Sequence, residues 1–162
     1  MRSASQDQVE LFERDPDPQV GWRLTQTLTC PDPDAKSFGR RLVADGNRLL
    51  VEAKDNVYLF ERRQGHWLFV DRFGPAANEE QLSIYHLALH KDHLVLVLGN
   101  KEYANMVHIY AFNEERWAPE LSFQVFEQRT PPYSIQSIGL WDDTLGVILG
   151  GSICFYRLRS SS

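Results

Sequence analysis

The sequence predicts an all-β fold made of β-propeller blades, four-stranded antiparallel units with a period of 45 to 51 residues, about three of them, bracketed by partial ones. Three observations carry this expectation. The stretch Val57–Trp67 (VYLFERRQGHW) returns without a gap as Val107–Trp117 (VHIYAFNEERW), fifty residues on. A hairpin pattern occurs three times, as LVADGNRLLVEA from Leu42, LALHKDHLVLVLG from Leu87 and IGLWDDTLGVILG from Ile138. Sustained helical spacing is absent, and turn residues instead recur every 8 to 12 positions. Four short strands in 40 to 50 residues is the spacing of a blade. A β-sandwich would also contain many short strands, but it does not require landmarks that align in every copy.

Each unit divides into four segments, A to D. Segments A and B flank a tight turn, at Asp45-Gly46-Asn47, His90-Lys91-Asp92 and Asp142-Asp143. Segment B is a nearly unbroken apolar run, with Leu49, Leu94 and Leu145 in register. Such a run belongs to a strand buried on both faces. Segment C has an aromatic residue at its fourth position in every copy: Phe12, Phe60, Tyr110 and Tyr156. Segment D opens at Trp22, Trp67 or Trp117, has a large apolar residue six positions later, and is polar enough for an outer edge. The fixed place of these tryptophans in the repeat assigns them to blade packing. The expected division is a single array over residues 1–162, with a partial blade at 9–33, blades at 34–80 and 81–129, and a partial blade at 130–159.

The unit from Phe38 to Phe73 resembles the FG-GAP type of propeller repeat. The features that match are Phe38-Gly39 opening segment A, the Asp45-Gly46 hairpin, the apolar segment B, VYLFER as segment C and Trp67 opening segment D. Ser83-Ile84 and Ser134-Ile135 stand where the other units would carry Phe-Gly. The resemblance implies a propeller fold and a binding role. It does not imply calcium, because no unit has the alternating oxygen ligands of a calcium loop.

Counted along the chain, the segments are C and D of one blade, two whole blades, and A, B and C of another. Closed propellers have four to eight blades. The expectation is therefore self-assembly, foremost a dimer closing a ring. A longer propeller of which this is a part, and a cap supplied by a partner, are the alternatives. Completing the last blade with the N-terminal D segment would bring Cys30 beside Cys154, a candidate disulfide. The plainer reading of the two cysteines is two small half-buried side chains.

Composition narrows the function. The chain carries a net charge of −5 and has no basic run, which argues against nucleic acid and anionic membrane surfaces as partners. No stretch is long and apolar enough to cross a bilayer, and the N-terminus has no signal-peptide pattern, so a soluble protein of unassigned compartment is expected. Neither a nucleophile elbow nor a phosphate-binding glycine loop occurs, and Gly150-Gly151 reads as the B–C turn of the last unit. His86, His90 and His93 form the densest set of candidate metal ligands, but their place in a hairpin reads as solvent-facing. Asp15, Asp17, Asp32 and Asp34 form two Asp-Pro-Asp pairs that read as rigid polar turns.

No catalytic residue, cofactor or metal is expected. The function expected is a non-enzymatic binding and assembly module that recognises a protein partner, or itself, through loops on one propeller face. A carbohydrate-binding propeller is the alternative, and an enzyme built on the loops stands third. The candidate binding residues are Lys54, Asp55 and Asn56 in one B–C loop, and Lys101, Tyr103 and Asn105 in the next. That second loop, Gly99 to Asn105, is longer by five residues. Trp141, in a hairpin turn, completes the set.

Overall fold

The computed structural model describes residues 7–54, 56–79, 81–100, 104–125 and 134–158. The chain falls into two compact units, Met1–Phe73 and Gly74–Ser162. In the first, β1 (Gln8–Arg14) and β2 (Trp22–Thr29) form sheet I. There β3 (Leu42–Asp45), β4 (Arg48–Glu52), β5 (Val57–Arg63) and β6 (His66–Phe73) also form sheet II. In the second, a 3-10 turn at Ala77–Glu79 leads into sheet III, made of β7 (Ser83–His90), β8 (His93–Gly99), β9 (Ala104–Asn113) and β10 (Arg116–Gln124). Sheet IV is made of β11 (Ile135–Trp141), β12 (Thr144–Leu149) and β13 (Ser152–Arg157). The fold is all-β, every pairing is antiparallel between chain neighbours, and each sheet is open.

The repeat extends to individual hydrogen bonds. Leu49 pairs with Phe60, Leu94 with Tyr110 and Leu145 with Tyr156, which are the aligned leucines and aromatics of segments B and C. The second residue of each A–B turn accepts from the backbone amide of the sixth residue of segment C, counted from Val57, Val107 and Ile153: Arg62 to Asn47 at 2.7 Å, Phe112 to Asp92 at 2.8 Å and Leu158 to Asp143 at 2.6 Å. In each C–D pair one residue is bulged, Thr25, Val70 or Glu120, and each is the third residue after its tryptophan. A bulge adds twist at a fixed point, so its recurrence gives each sheet the same local bend.

The tight turns are two residues long and each uses the left-handed region at its first residue, as such hairpins require. Gly46, Lys91 and Asp142 lead the A–B turns with φ of 58°, 48° and 44°. Gly150-Gly151 is the β12–β13 turn, as its sequence indicates. Glu114-Glu115, between β9 and β10, holds φ of 49° and 66° with no glycine at either position.

Segment B fulfils its reading as a doubly covered strand in sheets II and III, where all of β8 and nearly all of β4 are buried, whereas β12 of sheet IV leaves Ile148 exposed on its open side. Sheet I packs Val9 and Leu28 against Leu49, Val51, Tyr58 and Phe60 of sheet II. The side chain of Gln26 fastens the two sheets, bonding both the amide and the carbonyl of Trp67 at 2.8 Å. In the second unit Leu145, Val147 and Leu149 of sheet IV pack against Val95, Val97, Val107 and Ile109 of sheet III. Lys91 and Asp142 join the two A–B turns there.

Phe38 and Gly39 lie ahead of β3 rather than within it, and the structure gives their role. The Phe38 ring is buried edge-on against Tyr58 and Phe60, at 6.0 and 6.2 Å between centroids. Gly39 and Arg40 both donate to the carbonyl of Glu52, at 3.0 and 3.1 Å, which is the bonding pattern of a bulge. The backbone there needs φ of +91°, and a Cβ on Gly39 would lie 3.1 Å from Val9. The carboxylate of Glu52 is wholly buried and pairs with Arg41, with Arg40 3.6 Å away.

Two sequence expectations are corrected. The five extra residues between segments B and C of sheet III lengthen the ladder, not the loop. Gly99 still belongs to β8, and Ala104, Asn105 and Met106 extend β9. Trp22 does not pack as Trp67 and Trp117 do. Trp117 is buried with its ring 5.5 Å from Phe112, whereas Trp22 is 68% exposed, because sheet I has one covered face and Trp22 lies on the other.

Gly39→Ala is expected to cost about 2 kcal/mol in urea unfolding, since it adds backbone strain to a close contact. Replacing Glu114-Glu115 by Asn-Gly is expected to raise stability by about 1 kcal/mol in the same measurement, by relieving two left-handed residues.

Candidate functional site

An antiparallel meander alternates its ends. In sheets II and III the A–B and C–D turns share one end, and the B–C turn and the chain's exit share the other. The first end is closed by two-residue turns at 46–47, 64–65, 91–92 and 114–115. The second end carries the longer connections, 53–56 and 100–103 between strands, and 30–41 leading into sheet II. The longer connections are thus confined to one end of sheets II and III, where they can be changed without disturbing a ladder.

In the first unit this end forms two adjoining pockets. One, of about 370 Å³, is lined by Asp7, Cys30, Asp32, Pro33 and Phe38 among others. The other, of about 270 Å³, shares Asp32 and Ala35 and adds Asp34, Lys36, Lys54 and Asn56. The walls are held by backbone bonds. The Asp34 amide donates to Asp32 Oδ1 at 3.0 Å, and the Lys54 amide donates to the Lys36 carbonyl at 2.9 Å. Ala53 donates to the Asn56 carbonyl at 2.9 Å. The Asp-Pro-Asp pairs are therefore rigid turns, as their sequence indicates; Asp15 Oδ1 likewise accepts from the Asp17 amide at 2.9 Å. Arg72 lies 3.6 Å from Asp32.

Beneath this surface the Tyr58 hydroxyl is buried beside the Cys30 thiol. Burial pushes the phenol well above its usual range. The Cys30 thiol and the Asp32 carboxylate add to that rise, and Arg72 opposes it. In the second unit burial raises the Tyr156 phenol too, with Cys154 contributing. Cys30 and Cys154 are both half-buried free thiols, one in each unit.

Of the sequence candidates, Lys54 and Asn56 line the second pocket together. Asp55, Lys101 and Tyr103 lie outside the described residues. Asn105 is not a loop residue. It is bulged within β9 and buried, its carbonyl accepting from Val125 at 2.9 Å and its Oδ1 from Gln124 at 3.2 Å. Trp141 ends β11 at the A–B turn of sheet IV, the tight-turn end of its sheet, with its ring 46% exposed.

The histidine expectation is also corrected. His93 is buried, because it opens a strand covered on both faces, and its Nε2 lies 3.6 Å from the bulged Glu120. His86 Nε2 lies 2.8 Å from the Ile135 carbonyl and so carries the ring proton. His90 faces Asp142 at 3.7 Å. The three rings have three different partners and do not converge. Among the described residues no group of three or more His, Cys, Asp or Glu side chains is placed to hold a metal ion, and no helix is long and apolar enough to cross a membrane.

Sequence reasoning overlooked Cys30, Pro33, Lys36 and Phe38 as parts of one surface. The signal available was the length of the 30–41 connection. No protein-family model matches the chain, and no curated protein matches it in sequence.

Chemically, the surface combines carboxylates, two ammonium groups, an amide and a thiol over an aromatic floor.

The raised phenol of Tyr58 links the site to alkaline stability. Its stabilising effect is complete below the unfolded value of about 10 and is lost as pH climbs toward the folded one. Tyr58→Phe is expected to move the alkaline unfolding midpoint upward, read by circular dichroism beside the phenolate absorbance.

Proposed function

We propose that this chain is a non-enzymatic binding and assembly module of the β-propeller type, which offers the connection end of its sheets to a protein partner. In this reading the four sheets are blades. Sheet I contributes the C and D strands of one blade, and sheet IV the A, B and C strands of another. Phe38-Gly39, the buried β4, β5 and Trp67 make up an FG-GAP-type repeat.

The observation that supports the reading is the division between the two ends of sheets II and III. Turn length, turn carbonyl and bulge position repeat at one end, while the other end carries the connections that differ and that form the pockets around Asp32, Lys54 and Asn56. A repeat that keeps its ladder constant and varies its connections is built for recognition.

A carbohydrate-binding propeller is the second reading, and Trp141 favours it. Its exposed ring rests on the backbone of Gly139 and Gly146, a braced platform on which a sugar could stack.

One experiment separates the two. A photo-crosslinking residue is placed at position 54 or 56, with position 66 at the tight-turn end as the control, in full-length protein exposed to extract of the source cells. The protein reading expects discrete cross-linked partners at 54 and 56, few at 66, and loss of cross-links at 56 on Lys54→Glu. Equal labelling at all three positions would sink it. Binding on a glycan array that disappears on Trp141→Ala, without protein cross-links, would replace it with the carbohydrate reading.

A further inference from the structure

In sheets II and III segment C is followed by a paired segment D, β5 by β6 and β9 by β10, whereas the outer edge of β13 has no strand beside it among the described residues. The Leu158 amide donates inward, to the Asp143 carbonyl. Backbone groups alternate along a strand, so the amides and carbonyls of Ile153, Phe155 and Arg157 point the other way, to the outer edge. An edge of that kind is a template for one more strand.

The complete sheets show how such a strand would lie. Segment D runs antiparallel to segment C. Its tryptophan pairs with the sixth residue of C, and the apolar residue six places on pairs with the first: Trp67 with Arg62 and Phe73 with Val57, Trp117 with Phe112 and Phe123 with Val107. In sheet IV the corresponding residues of C are Leu158 and Ile153.

A cavity of about 310 Å³ lies beside Leu158, lined by Ile109, Glu120, Leu121 and Arg157 as well. The packing in the first unit identifies it. Sheet IV rests on sheet III as sheet II rests on sheet I: Tyr156 stacks on Phe123 at 4.9 Å, and their counterparts Phe60 and Leu28 share one core cluster. Trp67 packs on that cluster, as Leu11 does, and Gln26 holds its backbone. By position in the repeat, Leu11 corresponds to Ile109 and Gln26 to Leu121. The cavity is therefore bounded by the counterparts of the residues around Trp67. Leu121 is 51% exposed there, an apolar wall open to an incoming ring. The Glu120 carboxylate offers an acceptor for an indole N–H, which a buried tryptophan requires.

We infer that the outer edge of β13 takes an extended strand from a partner protein, antiparallel to β13, with a tryptophan seated in this cavity and a large apolar residue six places later beside Ile153. Backbone pairing along the edge supplies affinity and the cavity supplies selection, as in other cases of strand addition. The strands of this pattern in the sequence, β2, β6 and β10, are each paired already, and the fourth tryptophan, Trp141, ends β11. Residues 1–162 thus have none to spare, and the donor is a strand of another protein. This docking lies within the second unit, apart from the connection-end pockets of the first, and needs only the repeated register.

The test is fluorescence anisotropy of a labelled peptide with the sequence of β10, RWAPELSFQ, titrated with the full chain. Saturable binding is expected. The same peptide with alanine for tryptophan is expected to bind roughly 30-fold more weakly or worse, as loss of a central aromatic anchor does. Two protein variants probe the two halves of the surface, and circular dichroism checks that each is folded. Leu121→Glu places a charge in the cavity wall at an exposed position. Phe155→Pro removes an outward amide without touching the cavity, and an edge strand tolerates proline. Each is expected to weaken binding by roughly 10-fold or more. Trp22→Ala, which removes an exposed ring from the first unit, is expected to leave binding unchanged. Absence of saturable binding overturns the inference, as does equal binding of the peptide without tryptophan, or binding that survives both Leu121→Glu and Phe155→Pro. Dimers of the chain that the peptide dissociates, read by sedimentation equilibrium, would assign the strand to a second copy and overturn the separate partner.

Discussion

The structure depends on strand B. In sheets II and III it is paired on both edges and covered on both faces, and β8 is buried along its whole length. A strand in that position must be apolar throughout, must be entered and left by tight reversals, and must have an outer strand that tolerates water. The rest of each unit follows. The A–B turns each open on a left-handed residue, the turn carbonyl captures an amide near the end of strand C, and strand D carries the polar edge. The buried Glu52 is the exception within strand B, and it is matched to Arg41 and Arg40 at the one place where the entering chain departs from a regular strand. A buried carboxylate without such partners would cost several kcal/mol.

The constant ladder leaves one place where the sequence can vary without penalty. Two-residue turns demand particular backbone conformations, and a change there disturbs the register of two strands at once. The connections at the opposite end carry no such demand. Residues 30–41 use that freedom to place Cys30, Asp32 and Phe38 over Tyr58, and 53–56 place Lys54 and Asn56 beside them. The pockets are shallow because they lie between connections at the ends of a sheet.

Exposure on the two short-stranded sheets has a different origin. Sheets II and III have four strands each, whereas sheet I has two and sheet IV three. A short-stranded sheet that covers its neighbour's core keeps its second face open. On that face the alternation of the strand puts apolar residues where a polar face would be expected: Phe12 and Trp22 on one, Ile153 and Phe155 on the other. The glycines beneath Trp141 let its ring lie close to the sheet and give that surface a defined relief.

Much of this was legible in the chain itself. The all-β class, the strand order within each unit, the A–B turns, the covered strand B and the polar turns at Asp15 and Asp32 follow from period, apolar runs and turn residues, because these are local properties of an extended backbone. Side-chain burial at the ends of elements was not legible. His93 looks like a hairpin residue and is buried, since one step past a two-residue turn already lies within a doubly covered strand. Asn105 looks like a loop residue and is buried, since whether five added residues lengthen a loop or a ladder depends on a partner strand far along the chain. Trp22, Trp67 and Trp117 share one place in the repeat, yet Trp22 alone is open to solvent, because burial is decided by what lies across the sheet face. The sequence by itself thus determined the pattern of strands and turns. Only the tertiary structure decided which faces are covered, which residues meet in a pocket and which aromatic rings remain open, because these depend on the packing of one sheet on another, which no local pattern encodes.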